Sequence, residues 1–214
     1  MLRKVYNVHR LKTGSLDLTG HGADPKWKQA EKLTDFAYPW DAGKPPITSF
    51  SALHDESWFY CLFEVEDPNV IIHIEKNDKW EVVSSDRVEI FFRVNEKMNP
   101  YYCLEIDPKG RVLDYEASFH RKFNYPWSWP SAQLKIKASL VDGGYTVEFA
   151  ISKESLKKLQ ILKDNQMEAG LYRANCTQLL DAQSHMKWIS WVKPISETPD
   201  FHIPSSFGTL SLKQ

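Results

Sequence analysis

The sequence predicts an all-β protein, an antiparallel β-sandwich or jelly roll with one or two short helices. Three observations carry this reading. Short segments alternate apolar and polar residues with a period of two, as strands with one covered face do. Turn signals rich in Gly, Pro, Asn and Asp separate those segments. The composition is also aromatic, with eight Trp, nine Tyr and eleven Phe among 214 residues, and aromatic side chains favour pleated surfaces.

Taken in order, Trp58 to Val65 is a short apolar run that reads as a central strand covered on both faces. Asp67-Pro68-Asn69 turns the chain into a second predicted strand, Val70 to Ile74. Across 86–94, Val88, Ile90, Phe92 and Val94 point one way, and Arg87, Glu89, Phe91 and Arg93 the other. Over 101–107, Tyr102, Leu104 and Ile106 oppose Cys103, Glu105 and Asp107. Asp107-Pro108-Lys109-Gly110 has the residues of a type I turn and leads into a strand over 111–117. Residues 134–141 alternate again, Asp142-Gly143-Gly144 marks a tight hairpin, and Tyr145, Val147, Phe149 and Ile151 form one face of the returning strand. Ser152 can cap a short helix that has Glu154 in its first turn and Leu156 and Leu159 facing inward. Strands at about 169–176, 187–191 and 207–212 complete the chain.

The length suits one domain over 1–214 rather than two separate cores. With 27 Lys and Arg against 28 Asp and Glu, there is no basic field to hold nucleic acid. No apolar run approaches a membrane span, so membrane insertion is not expected. The opening Met1 to Arg10 has a basic start with no apolar stretch behind it and does not read as a signal peptide. By default that places the chain in the cytoplasm. Cys61, Cys103 and Cys176 are odd in number, match no zinc or disulfide framework, and read as buried thiols.

No phosphate loop, nucleophile elbow, zincin motif or histidine pair at ligand spacing is present. Asp86 and Glu89 face opposite sides of a regular strand, whereas Glu89 and Glu105 can share a side from neighbouring strands and could in principle cleave a glycosidic bond. Trp80, Trp127, Trp129 and Phe201 lie in loop-like surroundings, where a ring either stacks on a sugar or plugs the end of the sandwich. Trp127 and Trp129 read as plugs; for Trp80 both roles stay open. Arg173 shares a face with Asn175 and, if buried, needs a carboxylate partner, for which Glu89 or Glu105 is the expectation. Arg121 reads as a loop residue or a polar contact, and His202 is uninformative alone.

Several segments together resemble family 9 carbohydrate-binding modules. Lys79 to Phe92 resembles their tryptophan-acid stretch followed by Asp-x-Val-Glu-x-Phe. Gly143 to Ile151 looks like their Gly-Gly-Tyr strand, Gly170 to Asn175 like a late strand, and Ile189 to Trp191 with Pro199 to Leu210 like the closing motif. Asp35 to Trp40, then Thr48 and the strand from His54 to Val65, match the opening. The resemblance covers about residues 27 to 212, and is nearest to a free-standing branch. It implies a non-catalytic DOMON-like sandwich that binds oligo- or polysaccharide in an aromatic-walled cleft. Trp80 and Phe201 would be the walls, and Glu89, Glu105, Arg121, Arg173 and His202 the polar contacts. At the place of the family's arginine near Glu105 the charge is reversed. Such modules can also bind calcium, and are often secreted. No dense Asp cluster assigns calcium ligands here. Two other classes stay open: haem-binding electron transfer, since some DOMON-like sandwiches ligate haem through Met and His and Met98, Met167 and Met186 are present, and a glycoside hydrolase built on Glu89 and Glu105.

Overall fold

A computed structural model describes residues 3–180 and 183–214. Met1 and Leu2 of the opening stretch lie outside the described residues. The strands are β1 (Val5–Arg10), β2 (Lys32–Leu33), β3 (Thr48–His54), β4 (Trp58–Glu66), β5 (Arg87–Arg93), β6 (Tyr101–Ile106), β7 (Val112–Ser118), β8 (Lys122–Asn124), β9 (Leu134–Val141), β10 (Gly144–Ser152), β11 (Gln166–Leu180), β12 (Gln183–Ser190) and β13 (Gly208–Leu212). The one α-helix among the described residues, α1 (Lys153–Lys158), starts where Ser152 accepts a hydrogen bond from the Ser155 amide at 3.0 Å, as the capping preference predicts.

Two layers result. One runs β8-β7-β6-β5-β11-β13-β1, with β12 also paired to β11; the other runs β1-β3-β4-β10-β9, with β2 on β3. All pairings are antiparallel except those of β1, which runs parallel to β13 through Val5–Val8 and then to β3 through His9 and Arg10. One short strand therefore belongs to both layers and joins them along an edge.

The alternation read from the sequence sets what faces inward. Val88, Ile90, Phe92, Tyr102, Leu104 and Ile106 are buried between the layers with Phe50, Phe63, Tyr145, Val147 and Phe149 of the opposite sheet. The other faces of β5, β6 and β7 carry Phe91, Tyr101, Cys103, Leu113 and Tyr115, which form a second cluster with Phe201 and Phe207. That outer face holds the site described below. The Asp107–Gly110 turn closes as expected, with the Gly110 amide 2.9 Å from the Asp107 carbonyl, and Gly110 takes φ +77°. All three cysteines are free and buried, and burial pushes each thiol up.

The expected strand Val70 to Ile74 does not form. Side chains occupy its amides: Ile71 N–H donates to Asp86 Oδ2 at 2.8 Å, and His73 N–H to Ser85 Oγ at 3.0 Å. Apolar content suggested a ladder there, but side chains from beyond the following 3-10 turn took the donors a ladder needs.

Arg173 is also placed differently from the expectation. It projects into the interior between the layers, fully buried, and pairs with Asp67 and Asp86 rather than Glu89 or Glu105. Its register partner Val88 faces that same interior, so the side chain cannot reach the outer face. Asn175 donates to Asp67 Oδ2 at 2.9 Å. Burial raises the Asp86 carboxyl despite the nearby guanidinium. Removing the cation leaves two buried carboxylates facing each other. Arg173→Met is therefore expected to lower unfolding free energy by about 3–5 kcal/mol in urea titrations. A loss of less than about 1 kcal/mol would mean the ion pair is not what holds Asp67 and Asp86 in place.

Candidate functional site

The outer face of β5 and β6 sets Glu89 directly opposite Glu105, with Arg87 two residues before Glu89 on the same face. Both carboxylates converge on one guanidinium. Arg87 Nε donates to Glu105 Oε2 at 2.7 Å and lies 2.8 Å from Glu89 Oε1. An Nε–H carries one proton, and it goes to Glu105. Glu89 Oε1 is in ionic contact with Arg87 but has no hydrogen-bond donor. Arg87 Nη1 is tied to the Val83 carbonyl at 3.0 Å, and the Tyr115 hydroxyl donates to Glu105 Oε1 at 2.8 Å. Glu89 is only 2 % exposed. Burial, reinforced by the Glu105 charge, pushes its carboxyl well up against the opposing pull of Arg87.

This floor underlies a cavity of about 200 Å³ whose walls include Trp40, Trp188, Tyr125 and Phe123. Trp188 comes from β12, where its ring lies 5.5 Å from the Arg87 guanidinium. Trp40 meets Phe201 at 5.3 Å. At the rim, Asp200 accepts from Arg121 Nη1 at 3.0 Å and lies 2.8 Å from His120 Nε2. His202 stacks on Phe91 at 5.1 Å, and its Nδ1 is 3.1 Å from the Tyr101 hydroxyl. Burial, and then the Arg121 charge, push the His202 imidazole down to about 3, so it is neutral at ordinary pH.

Of the residues singled out in the sequence, Glu89, Glu105, Arg121, Phe201 and His202 line one cavity. Phe201 contributes little free face: it is 5 % exposed and stacks on Tyr172 at 4.0 Å. Trp80 stands outside the lining. It sits on a single 3-10 turn, Lys79–Ser84, is 47 % exposed, and meets Tyr125 edge-on at 5.0 Å. It therefore extends the aromatic surface outward from Tyr125. Arg173 lies on the other side of the sheet, among the interior residues. Trp129 is buried, with its indole N–H donating to Ser155 Oγ at 3.1 Å, and Trp127 packs beside it at 5.7 Å, so both fill the end of the sandwich. Sequence reasoning missed Arg87, Tyr115 and Trp188. The signal was present: Ile189 and Trp191 face the interior, so alternation sends Trp188 to the outer face.

Among the described residues, one group could gather a cation: His73, Glu75 and Glu81. Glu81 is already engaged. It accepts from the amides of Glu75 at 2.9 Å and Asn77 at 3.0 Å and from Arg111 Nη1 at 2.6 Å. Those bonds, led by that from the Lys76 amide, hold its carboxyl down at about 2. Elsewhere, an open hollow of about 720 Å³ along His9–Gly14 has no Trp, Tyr or Phe in its lining. No helix among the described residues is long and apolar enough to cross a membrane.

An aromatic-walled cleft over a polar floor, carried on the outer face of a β-sandwich, defines a ligand-binding module. Residues 18–214 match the carbohydrate family 9 binding domain-like family, and the chain belongs to it. It is 25 % identical over 190 residues to endo-1,4-beta-xylanase A of Thermotoga maritima and 26 % identical to that of Thermotoga neapolitana, matching 88 % of this chain. The chain spans only 16 % of the length of those xylanases. A candidate carbohydrate-binding protein of Bacteroides uniformis superimposes with a TM-score of 0.75 at 18 % identity, covering 99 % of this chain and 100 % of the other. A family 9 module of Caldicellulosiruptor kristjanssonii, solved with glucose, gives a TM-score of 0.63 at 18 % identity, covering 98 % and 96 %.

The raised Glu89 carboxyl makes the floor sensitive to pH. Unfolded, Glu89 titrates in the ordinary carboxylate range; folded, it keeps its proton to higher pH. Between those two values the folded state binds more protons, so this group's contribution to stability falls as pH rises. Glu89→Gln is expected to flatten that fall in urea midpoints measured from about pH 5 upward. The same slope in wild type and variant would show that Glu89 is not its source.

Proposed function

We propose that the domain binds carbohydrate without transforming it, with a sugar ring lying against the cleft aromatics and its hydroxyls meeting the Arg87–Glu89–Glu105 floor. The observation that carries this is the combination in one small hollow of several partly exposed aromatic rings and a charged floor with an unsatisfied acceptor. Flat apolar rings match the C–H faces of a pyranose, and charged groups give its hydroxyls charge-assisted hydrogen bonds. The cavity of about 200 Å³ is below the range of about 300–1,000 Å³ that holds drug-sized ligands, and suits a single sugar unit. Membership of the family, and a structural neighbour in complex with cellotriose, support the same reading. Trp80 would serve a following sugar outside the hollow.

The acids at the floor also supply a specific observation for the hydrolase reading, since Glu89 is raised and a second carboxylate lies beside it. The geometry favours binding: both acids stand side by side on one guanidinium instead of flanking a space for the scissile bond. For the haem reading, Met98 and Met167 are buried in core packing, and Met186, half-buried on β12, is not among the residues lining the cleft.

Glycan-array binding followed by calorimetry tests the proposal. Trp188→Ala is expected to weaken the sugar found by about tenfold or more, and Trp80→Ala to weaken longer oligosaccharides more than the monosaccharide. Wild-type affinity in Trp188→Ala would remove the cleft from the binding site. Release of reducing sugar, lost in Glu89→Gln, would replace the binding reading with hydrolysis.

A further inference from the structure

We infer that the cleft prefers a sugar bearing a protonated amino group over its neutral counterpart. This rests on the sugar-binding reading and narrows it to a ligand class.

The charge pattern of the lining points there. Arg121 is matched by Asp200 at 3.0 Å, and His202 is neutral. What remains is one guanidinium, Arg87, shared by two carboxylates. The floor is therefore one positive charge short whenever both acids are ionised. The deficit is local and geometric. The Arg87 Nε proton is given to Glu105, Tyr115 completes Glu105, and Glu89, which lines the cavity at 2 % exposure, keeps its Oε1 buried without a donor. Aromatic rings complete the surroundings, with Trp188 already accepting the cationic face of Arg87 at 5.5 Å. A hydroxyl can donate to Glu89 but brings no charge. An ammonium brings three donors and the missing charge, and is attracted to the ring faces as well. A uronate would add a further negative charge and is disfavoured.

In the free protein a proton on Glu89 makes up the deficit, since the groups around it are Arg87, Glu105, Tyr115, Tyr172 and Cys103, and Arg87 is the one cation among them. An ammonium ligand takes over that role. The Glu89 O–H bond breaks, the proton goes to the buffer, and a carboxylate–ammonium pair forms in its place.

The test is calorimetry on the full chain with three β-1,4-linked trisaccharides that differ at C2: cellotriose, its 2-amino analogue built of glucosamine, and the N-acetylated form of that analogue. Titrations are run below the amine's pKa and in two buffers of different ionisation heat. The amine is expected to bind about tenfold more tightly than cellotriose, with proton release, and N-acetylation to abolish the gain. Glu89→Gln should bring the amine-to-cellotriose affinity ratio towards one. If that variant fails to fold, the comparison of amine with N-acetylated trimer on wild type decides alone. Cellotriose binding as tightly as the amine, or a ratio unchanged in Glu89→Gln, overturns the inference and leaves sugar binding standing. No binding of any of the three overturns the sugar reading, and this inference with it.

Discussion

Arg87 is buried with one Nε–H between two carboxylates, and the cleft depends on how that shortage is resolved. Taking a guanidinium and its two acids out of water is costly, and the cost is offset only by close, well-directed contacts. Arg87 reaches them through the Val83 carbonyl and Glu105, and Glu105 through Tyr115. The cross-strand register of β5 and β6 makes this contact unavoidable, because it sets Glu89 against Glu105. A one-residue slip of either strand would turn its own acid into the apolar interior.

Other buried acids are used in another way. Glu148 accepts from the Thr19 amide and hydroxyl, the Gly20 amide and the Trp27 indole, and so pins a long loop to the sheet. Asp114 holds the Trp129 amide at 2.7 Å. Each of these carboxylates gathers backbone and side-chain donors, Asp114 with the Lys79 ammonium at 3.4 Å among them, and becomes part of the scaffold. Glu89 gathers none. Its neighbours are a shared cation and a second acid, and it faces a cavity. Within one fold, the donors around a carboxylate separate a loop anchor from a group left available to a ligand.

The layered fold was legible because alternation is a local signal. Val88, Ile90 and Phe92 on one side and Glu89 and Phe91 on the other appear in the structure as read. The pairing of Glu89 with Glu105 followed from the same rule. What lay beyond the sequence was set by partners distant along the chain. Arg173 needed a carboxylate, but nothing local told Asp67 and Asp86 from Glu89 and Glu105 until the sheet assigned faces. The Val70 to Ile74 segment had the residues of a strand, but side chains of Ser85 and Asp86 held its amides. Strand β1 was not anticipated, since its pairing depends on β13, some two hundred residues later in the chain.

The three buried thiols sit at different depths. Cys61 lies in the core between the layers, Cys103 lies beneath the cleft with Phe201 in the same cluster, and Cys176 borders the bulge in β11. A thiolate forms, and reacts, only when its cover moves away. The molecule thus carries three chemically equivalent clocks. The order in which they are alkylated would time the opening of the hairpin, the cleft face and the interlayer core separately, with no label added.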